Sequence, residues 1–251
     1  LASKQVSLDG QVLHGHDRYG WWQVNKIEGW DETPPEKSTQ SDVVNGHGAI
    51  AVPVYYGSRT VTITGRLIAK NHELAVDAKR MLAALLQESG DFVVFSDGGV
   101  ALSARAFRGR ITPGPVAGRW LTFDMELRFP DPFRYGAART FSVALGTSVS
   151  VYQRGYFGAW PVLTVTGTAP GGYAVSLDGR LVRITAPLVS GSPHTLDMRT
   201  GVLRAGGSRV YSGIAEAEYF SIPPGSPSTF VTSINTTGSA TVAISLNDTF
   251  I

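Results

Sequence analysis

The sequence predicts a mainly β chain in two domains, with one prominent helix that makes the N-terminal domain α+β. Three observations carry that expectation. Gly 29 and Pro 14 together make about a sixth of the 251 residues, against roughly an eighth in ordinary usage, so turns are frequent. Most segments alternate apolar and polar residues with a period of two, the mark of strands that bury one face. One stretch, at about 72–89, keeps the helical period instead.

Composition narrows the classes further. Hydrophobic residues are 43% and aromatic residues 10%, enough for a sizeable core. Charged residues are 17%, below the usual level of about 25%. The net charge of +2 comes with no concentrated basic run, which argues against a dedicated DNA-binding domain. Cys is 0, so disulfide scaffolds, thiolate metal sites and cysteine catalysis are excluded. The longest apolar run, 81–86, is far short of the roughly 20 residues of a membrane span. The opening LASKQVSLDG has no signal-peptide core. A soluble chain without membrane insertion is expected.

Each element follows from local pattern. Asp9-Gly10 and Asp178-Gly179 stand between alternating segments, and Asp-Gly suits the positive φ of a tight hairpin turn. Gly98-Gly99, Thr200-Gly201 and Gly206-Gly207 are further turn candidates. Residues 31–45 are polar and contain Pro34-Pro35, which reads as a long loop carrying an interaction. In TVTITG, Val61 and Ile63 alternate with threonines. The helix from about 72 to 89 has Leu74, Ala78, Met81, Leu82, Leu85 and Leu86 on one stripe. Asn71 is its expected N-cap, Glu73 suits the dipole, and Gly90 is expected to end it in a left-handed conformation. It should lie across a sheet. DFVVFS, 91–96, reads as a strand buried on both faces. In WLTFDMELRF, Leu121, Phe123, Met125, Leu127 and Phe129 face one way, and Thr122, Asp124, Glu126 and Arg128 the other. A domain boundary is expected near 136–140, after PDPFRYGAAR, dividing the chain into 1–139 and 140–251. Near the end, ATVAISL puts Val242, Ile244 and Leu246 on one face.

Candidate chemistry is sparse. His14 and His16 would share a strand face, with Asp17 beside them, as two imidazoles and a carboxylate for zinc or iron. Without a third His nearby, a polar strand end is the stronger reading. Gly46-His47-Gly48-Ala49-Ile50-Ala51 fits a loose dinucleotide loop, but Val52, Pro53 and Val54 oppose the helix that such a loop needs. His72-Glu73 opens like the zinc-protease pattern, but Val76 stands where the second His is required. Neither a nucleophile elbow nor a phosphate loop is present. Only His194 of the five His lies in the second half, so a Ser–His–Asp site would need distant residues to converge. Arg105, Arg108 and Arg110 read as solvated or paired positions rather than a basic face. Trp21, Trp22, Trp30, Trp120 and Trp160 could stack on sugars, but core and interface packing is the commoner use of Trp. No catalytic residue, cofactor or metal is therefore expected.

Three regions carry a resemblance. YYGSRTVTITGRLIAK, 55–70, leads directly into the helix. RFPDPFRYG, 128–136, contains an Asp-Pro junction. WPVLTVTG (160–167), HTLDMRTGVLRAGG (194–207) and FSIPPGSPSTFVTS (220–233) follow in order. Together these resemble the distal tail proteins of bacteriophages with long, flexible, non-contractile tails, the siphophage tail hub. Two local departures are Tyr219-Phe220, where a Trp often precedes the Pro-Gly turn, and RGYFGA before Trp160.

The resemblance implies a structural virion protein and no enzyme. Residues 1–139 would be a β-barrel or split-barrel-like domain forming a homo-hexameric ring that continues the tail tube. Residues 140–251 would be a galectin-like β-sandwich projecting outward. The ring would join the tail tube protein to the tail-tip or baseplate proteins, and phage DNA would pass its lumen without sequence-specific binding. Its place would be the tail tip of the virion, after assembly in the host bacterial cytoplasm. The hub of a gene transfer agent or tail-like bacteriocin is a close variant. The alternative from another class is a carbohydrate-binding β-sandwich, a host-surface glycan adhesin. Trp21, Trp22 and Trp30 are the candidates for the subunit interface. Neighbours on a strand point oppositely, so one of the Trp21-Trp22 pair should face the core and leave the other for a partner.

Overall fold

A computed structural model describes residues 5–37, 41–42, 47, 49–50, 55–95 and 100–251. The chain divides into two compact units, Leu1–Arg134 with Ile251, and Tyr135–Phe250. The stretch 136–140 lies inside a continuous strand, Arg134–Ala144.

The first unit contains β1 (Val6–Leu8), β2 (Gln11–His16), β3 (Gly20–Glu28), β4 (Ser41–Asp42), β5 (Ala49–Ile50), β6 (Arg59–Ala69), helix α1 (His72–Ala84), β7 (Ser89–Phe95), β8 (Ala101–Ala117) and β9 (Trp120–Phe129). Seven strands pair in the order β8-β7-β1-β2-β3-β6-β9. Strand β8 closes the barrel by changing partner: 101–107 pair with β7, and 107–117 pair with β9 across bulges at 108–110 and 113–116. Asp9 and Gly10, at φ 49° and 79°, make the expected two-residue turn between β1 and β2.

Alternation fills this barrel. Val61, Ile63 and Leu67 of β6, and Leu121, Phe123, Met125, Leu127 and Phe129 of β9, are buried in one cluster, as their period-two pattern predicts. Gly65 is needed inside: a Cβ there would stand 2.4 Å from the Phe123 ring. In β7 the expectation of two buried faces is corrected. Phe92 and Val94 are buried, Val93 is half-buried and Asp91 is exposed, so one face carries the burial. Ser96 lies outside the described residues, as do Gly98-Gly99.

Helix α1 begins as expected, with Asn71 Oδ1 accepting from Leu74 N–H at 2.8 Å. It ends earlier than the stripe predicts, at Ala84. Leu85 is extended, at ψ 141°, and Leu86 takes the left-handed turn at φ 59°. The apolar stripe runs on because Leu86 is still buried after the helix has stopped. Gly90 is therefore no helix cap. It stands in β7, where a Cβ would press on Asp9 and Leu86. Ala75, Ala78 and Leu82 bury the helix against the barrel cluster.

Between β3 and β6 the chain leaves the barrel through a paired neck. Lys37 N–H donates to Tyr55 O and Gly57 N–H to Pro35 O, each at 2.6 Å. Strands β4 and β5 pair beyond it. Of the expected loop 31–45, residues 38–40 and 43–45 lie outside the described residues, as do Gly46, Gly48 and 51–54 of the dinucleotide-like stretch.

The second unit contains β10 (Arg134–Ala144), β11 (Ser148–Val151), β12 (Val162–Thr168), β13 (Tyr173–Leu177), β14 (Arg180–Ile184), β15 (His194–Asp197), β16 (Val202–Ala205), β17 (Ser208–Val210), β18 (Ile214–Ala217), β19 (Ser228–Ile234) and β20 (Ser239–Phe250). One layer runs β17-β16-β15-β12-β20-β10 and the other β11-β19-β13-β14-β18. Both contribute to one core. Leu163, Val165, Leu196, Val242, Ile244 and Leu246 come from the first, and Val151, Val175, Leu177, Val182, Ile184 and Phe230 from the second. Asp178-Gly179 and Gly206-Gly207 both turn through positive φ, as their sequences predict.

Candidate assembly surface

The register of the barrel assembles an outward row from distant residues. Trp21 of β3 pairs with Ile68 of β6, which pairs with Trp120 of β9. His16 of β2 stands opposite Trp21, and Ala117 of β8 opposite Trp120. Alternation puts Trp22 and Leu121 inside, so Trp21 and Trp120 point out, 41% and 46% exposed. Two strand spacings separate their backbones by roughly 9.5 Å. The His16 ring stacks on Trp21 at 6.0 Å, with planes 14° apart. Arg66 lies 5.4 Å over the Trp120 ring, and its Nε and Nη2 donate to Gln23 Oε1 at 2.9 and 2.8 Å. Both indoles are thus held on one side and open on another. Farther along the same strands, Thr62, Arg110, Thr112, Asp124, Met125 and Glu126 line a groove of about 300 Å³.

The other two Trp candidates turn inward. Trp22 is wholly buried, with its ring 6.2 Å from Tyr19 and 5.7 Å from Phe123. Trp30 is 3% exposed and packs on Phe92 at 4.9 Å and Phe129 at 5.9 Å. Each is consumed by its own core, so of Trp21, Trp22 and Trp30 only Trp21 has surface to offer. Trp120 is the partner that sequence reasoning missed. The signal was present, since it precedes the inward Leu121 of an alternating strand.

A buried pair of arginines fixes the loop after β3. Arg59, 2% exposed, donates from Nη1 to Gly29 O, Trp30 O and Glu32 O at 2.8, 2.8 and 2.5 Å. Its Nε and Nη2 both reach Pro132 O at 3.2 Å. Arg134 lies 5.6 Å over the Trp30 ring and pairs with Asp31 at 2.8 Å. Burial, and then the charge of Arg134, bring the Arg59 pKa down to about 10, which leaves it a cation at neutral pH.

The residues singled out for chemistry are bound elsewhere. His14 Nδ1 accepts from Val24 N–H at 3.3 Å, and Asp17 accepts from Tyr19 N–H and from Gln11 Nε2. Among the described residues no three His, Asp or Glu side chains converge for a metal. His72 Nδ1 lies 2.8 Å from Gly118 O. Arg105 meets Ser89 and Asp91, Arg108 donates to Ala83 O and Leu85 O at the end of α1, and Arg110 reaches Thr112. His194 is 2% exposed, with Nδ1 3.3 Å from the Tyr173 hydroxyl, and burial lowers its pKa. No helix among the described residues is long and apolar enough to cross a membrane.

No family model matches the chain, and no curated protein does. Solved structures do. The SPP1 Dit protein, described as a paradigm of the hub adsorption apparatus in phages infecting Gram-positive bacteria, superposes with a TM-score of 0.75 at 13% identity, over 99% of each chain. The chain has the fold of SPP1 Dit. Chains of the phage P2 baseplate in its activated conformation, one structure with Ca and one with Sr, give TM-scores of 0.53 and 0.54 at 5% and 6% identity, over 96% of this chain and 97% of theirs. The Dit fold thus extends over both units, the barrel with its helix and the sandwich.

Proposed function

We propose that the chain is a structural protein of a phage tail, the distal hub between tail tube and tail tip or baseplate. The observation that carries this reading is the likeness to SPP1 Dit over 99% of both chains, with neither unit left over. Its expected chemistry is assembly rather than catalysis. His14, Asp17, His72 and His194 are each engaged in fixing the fold. In this reading the N-terminal domain, 1–139, builds a homo-hexameric ring whose lumen passes phage DNA without reading its sequence. The C-terminal domain, 140–251, projects from it. A ring needs two different patches on each copy that meet until rotation closes. The Trp21–Ile68–Trp120 row is our candidate for one of them, because Trp is enriched in interface cores. The ring would sit in the virion at the tail tip, after assembly in the bacterial cytoplasm.

Negative-stain images of the purified chain, with light scattering across a concentration series, test this. Rings with a central hole and six-fold mass are expected. A monomer at every concentration, together with absence of labelled protein from the tip of intact particles, would overturn it.

A further inference from the structure

Residues 152–156 follow β11 as a short irregular segment in which exposure alternates: Tyr152, Arg154 and Tyr156 are exposed, and Gln153 and Gly155 are buried. A buried polar network holds the inward residues. Gln153 Oε1 accepts from Gly155 N–H at 3.0 Å and Thr249 N–H at 3.1 Å, and its Nε2 donates to Phe157 O. Asp248, 5% exposed, accepts Arg139 through both oxygens, at 2.6 and 2.9 Å, and Arg154 N–H at 2.7 Å. Gly155 lies so close to β20 that a Cβ would meet Thr249 O at 2.0 Å. Tyr156 and Phe157 N–H both donate to Thr249 O. From Arg154 to Phe157 the backbone is fastened residue by residue, while the large side chains of Tyr152, Arg154 and Tyr156 point outward.

Those side chains are held from behind as well. Tyr152 packs edge-on to Phe141 at 5.5 Å, under the Arg139 guanidinium at 5.1 Å. Tyr156, 81% exposed, meets Phe250 at 5.7 Å. The Arg154 guanidinium is left without a hydrogen bond or ion pair among the described residues. Tyr and Arg are the side chains that dominate binding hot spots, and a pre-ordered loop loses little entropy when a partner settles on it.

Charge points to the partner. Residues 135–250 hold seven Arg, no Lys and five Asp or Glu, so the chain's net charge of +2 lies in this unit. The carboxylate of the patch, Asp248, is buried and neutralised by Arg139. We infer that the Tyr152–Arg154–Tyr156 comb is a preformed docking site for an acidic segment of a partner protein, with a carboxylate at Arg154 between two tyrosines. A nucleic acid fits less well, because phosphate tracking requires several free cations in line and Arg139 is already spent. The inference does not depend on the hub reading.

Fluorescence anisotropy of a labelled random Glu–Tyr copolymer, titrated with the full chain at physiological salt, tests it. Binding should weaken about tenfold or more in Arg154→Glu and in Tyr156→Ala, as for hot-spot residues. Arg180→Glu, an exposed cation of the same unit, should change it less than twofold. The substituted groups are exposed, so unchanged thermal melting should accompany both losses. Absence of binding, equal weakening by Arg180→Glu, or competition by a DNA oligonucleotide with the same sensitivity to the variants would each overturn the inference. A chain that binds the copolymer yet stays monomeric would keep this site and remove the ring.

Discussion

Among the described residues Trp22 is the largest fully buried side chain, and its indole N–H meets no acceptor there. Trp22→Ala should therefore cost about 3–5 kcal/mol in urea unfolding. Trp22→Phe should cost much less, because it removes an unpaired donor along with part of the ring. Trp21→Ala should leave the same curve within roughly 0.5 kcal/mol, since its exposed ring supports little of the isolated fold. Arg59→Met should lose about 3 kcal/mol or more, by stranding the carbonyls of Gly29, Trp30, Glu32 and Pro132. Arg59→Lys should not recover it, because an ammonium lacks the planar fork that reaches four carbonyls. His194 sets a pH dependence. Its folded pKa lies below the ordinary value, so the unfolded chain binds its proton first as pH falls. The second unit should hold its full stability above about pH 6.5 and lose it progressively below that, until the folded His194 also titrates. Thermal melts at neutral and acid pH should show this loss, and His194→Gln should flatten it.

Helix α1 shows what local pattern reveals and where it stops. Asn71→Ala should cost about 1 kcal/mol, the usual worth of a cap. Leu82→Ala, at a fully buried site, should cost roughly 2–5 kcal/mol. Leu85→Ala should cost less, because Leu85 is half-buried and already past the helix end. The stripe was legible because a buried face imposes its period on the chain. The end was not, because Leu86 stays buried while its backbone turns left-handed. The Asp-Gly hairpins were legible for a related reason: their positive φ values are demanded within two residues. The barrel was legible only through the family resemblance, not from local pattern. Strand β8 must leave β7 for β9 halfway along, and nothing within 101–117 names those partners. The Arg59 clamp and the 152–156 comb stayed hidden likewise, since Pro132 and Asp248 reach them from 73 and 94 residues away.

At the scale of the whole molecule, the aromatic row and the fold make one joint prediction. Trp21→Glu and Trp120→Glu should leave the melting temperature of the isolated chain nearly unchanged while reducing the mass seen by light scattering, if the row joins copies. The paired neck between β3 and β6 has a consequence for how such chains diverge. Its strands are joined below by the β3–β6 ladder and by Arg59, and again by the hydrogen bonds of 35–37 with 55–57. Both ends of the excursion are thus fastened by bonds made outside residues 38–54. Lengthening a flexible connection costs slowly, about 0.6 kcal/mol for each doubling. A foreign domain spliced between Lys37 and Tyr55 should leave the barrel's unfolding midpoint almost where it was. Evolution could therefore fit new cargo at this point while the scaffold beneath it stays the same.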